Sequence, residues 1–224
     1  MLCIIFRRPH APPKGLPEPE PFTLTQGLVN FDEKEKASLA FDTREFIGIS
    51  NPGVSASKPR MAHVSLLRPN LLLGRTAIVT GGGTGIGRAI TRELLSLGCR
   101  VVIASRNLDT LKQTAAELGA DAAIGVDVKS ALSVVECNIR DEDAVERLIG
   151  SALDIFGSLD YLVNNGGGQF PAAAKEISRN GWNAVVETNL LGTFTCCREA
   201  FTQHFEANPR TGGAIVNITC DHFG

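Results

Sequence analysis

The residues with the clearest chemical potential run from Thr80 to Gly87, as Thr80-Gly81-Gly82-Gly83-Thr84-Gly85-Ile86-Gly87. They follow Ala77-Ile78-Val79, an apolar run bounded by turn chemistry, which reads as a central parallel strand. Glycines here let the backbone turn sharply and approach a ligand without Cβ obstruction. Ile86, Ile90, Leu94 and Leu97 recur at helical spacing, and Gly98 marks the stop. A strand feeding a helix through such a turn brings free N–H groups and a positive dipole end to one point, which suits a pyrophosphate. The spacing is G-x-x-x-G-x-G (Gly81, Gly85, Gly87), not the commoner G-x-G-x-x-G. Taken alone, the stretch could also be a tight connection and nothing more.

Charged residues nearby sharpen the chemistry. Arg100-Val101-Val102-Ile103-Ala104 reads as a second strand that runs into Ser105-Arg106. A nucleotide-binding fold that selects an unphosphorylated ribose places a carboxylate at this point. Neither residue here is acidic, and an arginine fork binds a 2′-phosphate. Arg88, just past Gly87, is read as a second cation on the same side. The pair argues for NADP(H) over NAD(H), the alternative being two solvated surface arginines. Asn138, followed by Ile139, falls at the edge of a third strand where an adenine would lie, and capping a turn is its other reading.

The elements that must position these groups alternate along the chain. Val134 to Ile139 is expected as the third strand, Leu159 to Val163 as the fourth and Ala214 to Ile218 as the fifth. Between them lie a helix with Leu108, Leu111, Ala115 and Leu118 on one face, and a second that opens at Asp141 and carries Val145, Leu148, Ala152 and Phe156. A third tract runs from about Gly181 to His204. Residues 119–133 lack a strong period and are expected as a surface connection. The βαβαβαβαβ order argues an α/β fold with a doubly wound parallel sheet, Rossmann-like, in three αβα layers.

The bulk properties exclude several classes. The chain has 224 residues, 43% of them hydrophobic and 21% charged, enough for one sizeable core. A net charge of −2 gives no reason to invoke nucleic acid. No run of 18 apolar residues occurs, so no membrane span is expected. The six cysteines show no C-x-x-C spacing, which points to free thiols and to no metal site. Residues 1–60 carry six prolines between Pro9 and Pro21 and then the charged run Asp32 to Lys36. They are expected to be disordered or loosely packed, either an upstream extension or a gene-model artefact ahead of Met61, with 61–224 as the nucleotide-binding domain.

Four strings now stand in order: Thr80-Gly81-x-x-x-Gly85-Ile86-Gly87, Asn164-Asn165-Gly166, Asn189 within Glu187-Thr188-Asn189-Leu190, and Gly213-x-Ile215-Val216-Asn217-Ile218. Residues 61–224 thereby resemble the short-chain dehydrogenase/reductase family. Within it, Leu162 to Phe170 (LVNNGGGQF), Glu187 to Phe194 and Glu136 to Glu142 are most similar to the trans-2-enoyl-CoA reductases of peroxisomes. The resemblance implies NADPH-dependent reduction of the 2,3 double bond of an acyl-CoA in fatty-acid elongation. It adds Asn165, Gly166 and Gly167 to a cofactor-binding set of Thr80, Gly81, Gly83, Thr84, Gly85, Ile86, Gly87, Arg88, Ser105, Arg106, Asn138 and Ile139. Asn189 would anchor a water in the catalytic proton relay, or serve inside its helix. Peroxisomal location and oligomeric full-length relatives follow from the same resemblance alone. Reduction of 2,4-dienoyl-CoA or of a 3-oxoacyl group stays open, as does a catalytically silent nucleotide-binding or interaction module.

The family delivers its proton from a Tyr-x-x-x-Lys pair after the fifth strand. Here the one tyrosine is Tyr161, in the fourth strand, with Asn165 four positions on and no lysine after Lys175. The expectation is therefore a sequence that holds the cofactor and does not turn over by itself. It also predicts a truncated sheet, with Ile215, Val216 and Ile218 on an exposed apolar edge.

Overall fold

The computed structural model describes residues 65–208 and 213–219. The expectations for residues 1–60, Cys3 and Cys220 fall outside them. Five strands, β1 (Thr76–Thr80), β2 (Arg100–Ser105), β3 (Leu132–Glu136), β4 (Tyr161–Asn164) and β5 (Ala214–Asn217), form one sheet in the order β3-β2-β1-β4-β5. Every pairing is parallel. The helices are α1 (Gly85–Ser96), α2 (Leu108–Gly119), α3 (Val128–Ala131), α4 (Glu142–Phe156), α5 (Arg179–Val186) and α6 (Thr193–Ala200). This is the doubly wound arrangement the alternation predicts.

Alternation along the strands splits the core into two layers. Ala77, Val79, Val101, Ile103 and Val163 pack with Leu95 of α1 and with Leu111 and Leu118 of α2. The intervening Ile78, Val102, Ala104, Leu162 and Ile215 pack with Val145, Leu148, Ile149 and Ala152 of α4 and with Cys196 and Ala200 of α6. A strand buried on both faces needs apolar residues at every position, which is why β1 reads as a continuous run. Local chemistry ends the helices. Gly98 (φ +83°) and Gly157 (φ +75°) take left-handed conformations just past α1 and α4. Asn107, Asp127, Asp141 and Ser178 cap the starts of α2, α3, α4 and α5 through their side chains.

Four boundaries differ from the sequence reading. Residues 119–133 are not merely a surface connection: Ile124 and Val128 are buried in the first of these core layers, with Leu111 and Leu118. The Asp127-capped turn of α3 delivers the chain to Leu132 opposite Val101, so β3 starts and ends earlier than 134–139. The fourth strand is likewise displaced by its pairing, running 161–164 where 159–163 was expected. The helical tract runs on to Phe205 but contains two π-helical turns, Glu187–Gly192 and Phe201–Phe205, that a 3.6-residue period cannot register. Ile215 of β5 is buried in one layer and Ile218, just past the strand, packs against the other, while Val216 is half-buried. What β5 leaves unpaired among the described residues is its backbone edge, not an apolar face.

Among the described residues Cys99, Cys137 and Cys196 are buried and Cys197 is half-buried, and all four are free thiols, as the spacing predicts. No helix among these residues is long and apolar enough to cross a membrane, and no cluster of potential metal ligands occurs.

Candidate functional site

Strand order reverses between β1 and β4, because β2 and β3 lie to one side of β1 and β4 and β5 to the other. In an open parallel sheet the loops diverge at such a point and leave a crevice beyond the strand ends. A cleft of about 480 Å³ lies there, of the size that holds a small molecule or cofactor.

Its floor is built around one amide. Asn165 Nδ2 donates to the carbonyl oxygens of Thr80 (3.1 Å) and Gly81 (3.3 Å), so its side chain rests in the crook of the glycine turn. A Cβ on Gly81 would stand 2.9 Å from that Nδ2, and a Cβ on Gly87 would collide with both Nδ2 and the Gly81 carbonyl. Only glycine fits at either position, and Gly81 also takes φ +65°. Thr80 Oγ1 accepts from the backbone N–H of Asn165 (3.1 Å) and of Gly166 (2.8 Å). Thr80 is 1% exposed, so its hydroxyl joins the two loops from beneath and does not face the cleft.

The helix that begins above this floor is open at its N-terminus. Thr84 stands at the cap position of α1 and makes no side-chain cap bond, and the first turn holds no acidic residue. The first intrahelical bond is from Arg88 N to Thr84 O, which leaves the N–H groups of the opening turn without helical partners. A crook that admits no Cβ, with unpaired N–H groups and a positive dipole end above it, fits a pyrophosphate.

The cleft brings together Gly81, Thr84, Gly85, Ile86, Ser105, Arg106, Asn138, Ile139, Asn165, Gly166 and Gly167. Arg106 is exposed there, and no ion pair holds it among the described residues. Among the described residues no carboxylate lines the cleft. Asn138 lines the cleft, and its Oδ1 accepts from the Arg140 N–H at 3.3 Å, so it caps the turn after β3.

Gly83, Arg88 and Asn189 do not line the cleft. The Arg88 guanidinium pairs instead with Glu117 of α2 at 2.6 Å, an ion pair between two helices. Gly83 is buried behind the turn, where its carbonyl accepts from Thr114 Oγ1 at 2.6 Å. Ile86 is 64% exposed, because the cleft end of α1 is not covered by the core stripe it seemed to belong to. Asn189 grips Gly168 through both amide atoms, accepting from its N–H at 2.9 Å and donating to its carbonyl at 2.8 Å. The π-helical turn that carries Asn189 thereby fixes the loop after β4.

Ala104, Cys137, Arg140 and Thr188 line the cleft and escaped the sequence reading. Three of them follow or end β2 and β3, and proximity to those strand ends is the signal that could have found them. Burial pushes the Cys137 thiol up to about 11, so it stays neutral near pH 7 and offers no charge that would repel an anion.

The short chain dehydrogenase family model matches residues 75–222. The chain belongs to the short-chain dehydrogenase/reductase family. The peroxisomal 2,4-dienoyl-CoA reductase of Rattus norvegicus is 37% identical over 69% of the chain and 50% of its own length. The enzyme of the same name from Danio rerio is 32% identical over 70% of the chain and 49% of its own length. The chain spans about half the length of these curated relatives. Among solved structures, the citronellol catabolism dehydrogenase of Pseudomonas aeruginosa PAO1 superimposes with a TM-score of 0.62 at 40% identity, covering 70% of this chain and 60% of that one. An actinorhodin polyketide ketoreductase solved with NADPH gives 0.54 at 31% identity, covering 60% and 49%.

Proposed function

We propose that this protein is an NADPH-dependent reductase of unsaturated acyl-CoA thioesters, with 2,4-dienoyl-CoA as its substrate class. The observation that carries the cofactor half is Arg106 at the end of β2, in a cleft that no carboxylate lines among the described residues. The substrate half is supported by the curated relatives, several of which are named peroxisomal 2,4-dienoyl-CoA reductases. Those names also support a peroxisomal setting. A second reading, reduction of a simple trans-2-enoyl-CoA, is favoured by the string Gly166-Gly167-Gly168-Gln169-Phe170.

The roles divide by loop. The turn Gly81–Gly87 and the open start of α1 hold the pyrophosphate. Arg106 binds the 2′-phosphate through its planar fork, and Ser105 flanks it. Asn138 and Ile139 border the adenine, and Asn165, Gly166 and Gly167 border the other half of the dinucleotide. The bound cofactor supplies a hydride to the unsaturated acyl chain. Thr80 and Asn165 keep the two central loops in register, and Asn189 holds the loop after β4 through Gly168. Tyr161 does not act in this site. It lies half-buried within β4 between Ala77 and Ala214, and burial raises its hydroxyl above the ordinary tyrosine range.

Ternary binding tests this reading. With NADPH saturating, the chain is titrated calorimetrically with a 2,4-dienoyl-CoA, a trans-2-enoyl-CoA and free coenzyme A. Tightest binding of the dienoyl thioester is expected. Preference for the enoyl thioester would move the assignment to the second reading, and no preference over coenzyme A would refute both.

A further inference from the structure

We propose that Arg140 and Glu187 form a clasp that positions the adenine-side wall of the cofactor cleft, so that both are positioning residues for cofactor binding. The inference rests on the cleft being the NADP(H) site and concerns two residues to which the family resemblance assigns no role. Two irregular loops make the cleft walls, Cys137–Arg140 after β3 and Asn165–Gly168 after β4. No ladder or helix holds either one at its tip. Both are fastened to the same π-helical turn, Glu187–Gly192.

Three contacts do this. Asn189 grips Gly168 on the β4 side. Gly192 is pressed on the β3 side, where a Cβ would stand 2.8 Å from the Ile139 carbonyl oxygen. The Arg140 guanidinium donates to the Glu187 carboxylate. Thr188, between these anchor points, faces the cleft. The turn therefore works as a bridge between the walls, and the ion pair is its outermost strut.

The partner choice is specific. Arg140 has acidic neighbours in sequence, but Asp141 accepts from Ala144 N–H to cap α4, and Glu142 takes Arg198 at 3.0 Å. Arg140 reaches across to another element instead. Both side chains are about two-fifths exposed, at 39% and 42%. A pair this exposed adds little to global stability, so its effect falls on the placement of a loop.

The two single substitutions separate a clasp from its rivals because they change charge in opposite senses. Arg140→Gln removes a cation from the wall, whereas Glu187→Gln leaves that cation unopposed. A clasp predicts that each weakens NADPH binding about threefold, as an exposed pair allows, without moving the melting temperature. It also predicts recovery in the swapped double variant Arg140→Glu with Glu187→Arg. If Arg140 only attracted the anionic cofactor, Glu187→Gln would bind NADPH as well as or better than the parent, and the proposal would be overturned. Unchanged affinity in both single variants would overturn it too. Amide hydrogen exchange across residues 137–141 of the free chain gives a readout that needs no ligand. Faster exchange in each single variant, restored in the swap, supports the clasp even if NADPH fails to bind, an outcome that would defeat the cofactor reading alone. Exchange that matches the parent in all variants overturns the clasp.

Discussion

Two helices start at the same edge of the sheet, directly after parallel strands, and their N-termini are built in opposite ways. At α4, Asp141 accepts from the Ala144 N–H, and Glu142 and Asp143 occupy the first turn. Its partial positive charge and its free donors are answered within the chain. At α1, Thr84 makes no cap bond, no acid enters the first turn, and the turn before it is shaped by Gly81 and Gly87. One helix start is closed on itself and the other is left for an external anion. Position in the fold is shared, so the difference lies in the residues at the two helix starts.

The contrast can be broken most severely at the crook. Gly87→Ala sets a Cβ against the Gly81 carbonyl, a backbone atom that cannot swing aside. We expect NADPH affinity to fall about a hundredfold, corresponding to about 3 kcal/mol, in a fluorescence titration. Affinity equal to the parent would show that the turn is not shaped for a phosphate. The next effect is at Arg106. Arg106→Ala should weaken NADPH about tenfold or more, the worth of a charge-assisted contact, and leave NADH within about twofold. Equal losses for the two cofactors would remove the phosphate role.

The closed helix start should respond in stability instead. Asp141→Ala removes the cap of α4 and should cost about 1 kcal/mol, a drop of about 2–4 °C in melting temperature, with NADPH affinity little changed. The smallest effect is expected from the matching change at the open start. Thr84→Ala removes no cap bond, so stability should stay within about 0.5 kcal/mol of the parent in a denaturant melt. If Thr84→Ala destabilised the chain as much as Asp141→Ala, the two helix starts would not differ as described.

Much of this was written in local sequence. The β-branched runs gave the strands, the acidic start and Gly157 bounded α4, and the glycine spacing located the cleft. What escaped was decided by contacts between distant segments. Arg88 reads as a cation beside the ligand until α2 brings Glu117 against it. Thr80 reads as a cleft residue until β4 lays the N–H groups of Asn165 and Gly166 over its hydroxyl. Ile86 satisfies the helical period, yet it sits in the first turn, beyond the reach of the core. The π-helical turn at Glu187–Gly192 inserts an offset into a helix without altering residue types, so neither the grip of Asn189 on Gly168 nor the Arg140–Glu187 pair could be read from spacing.

The most direct test of the account is a paired titration of the unaltered chain with NADPH and with NADH under identical conditions. The open start of α1 together with Arg106 predicts that NADPH binds at least about tenfold more tightly. Equal affinity for the two, or no binding of either, would contradict it.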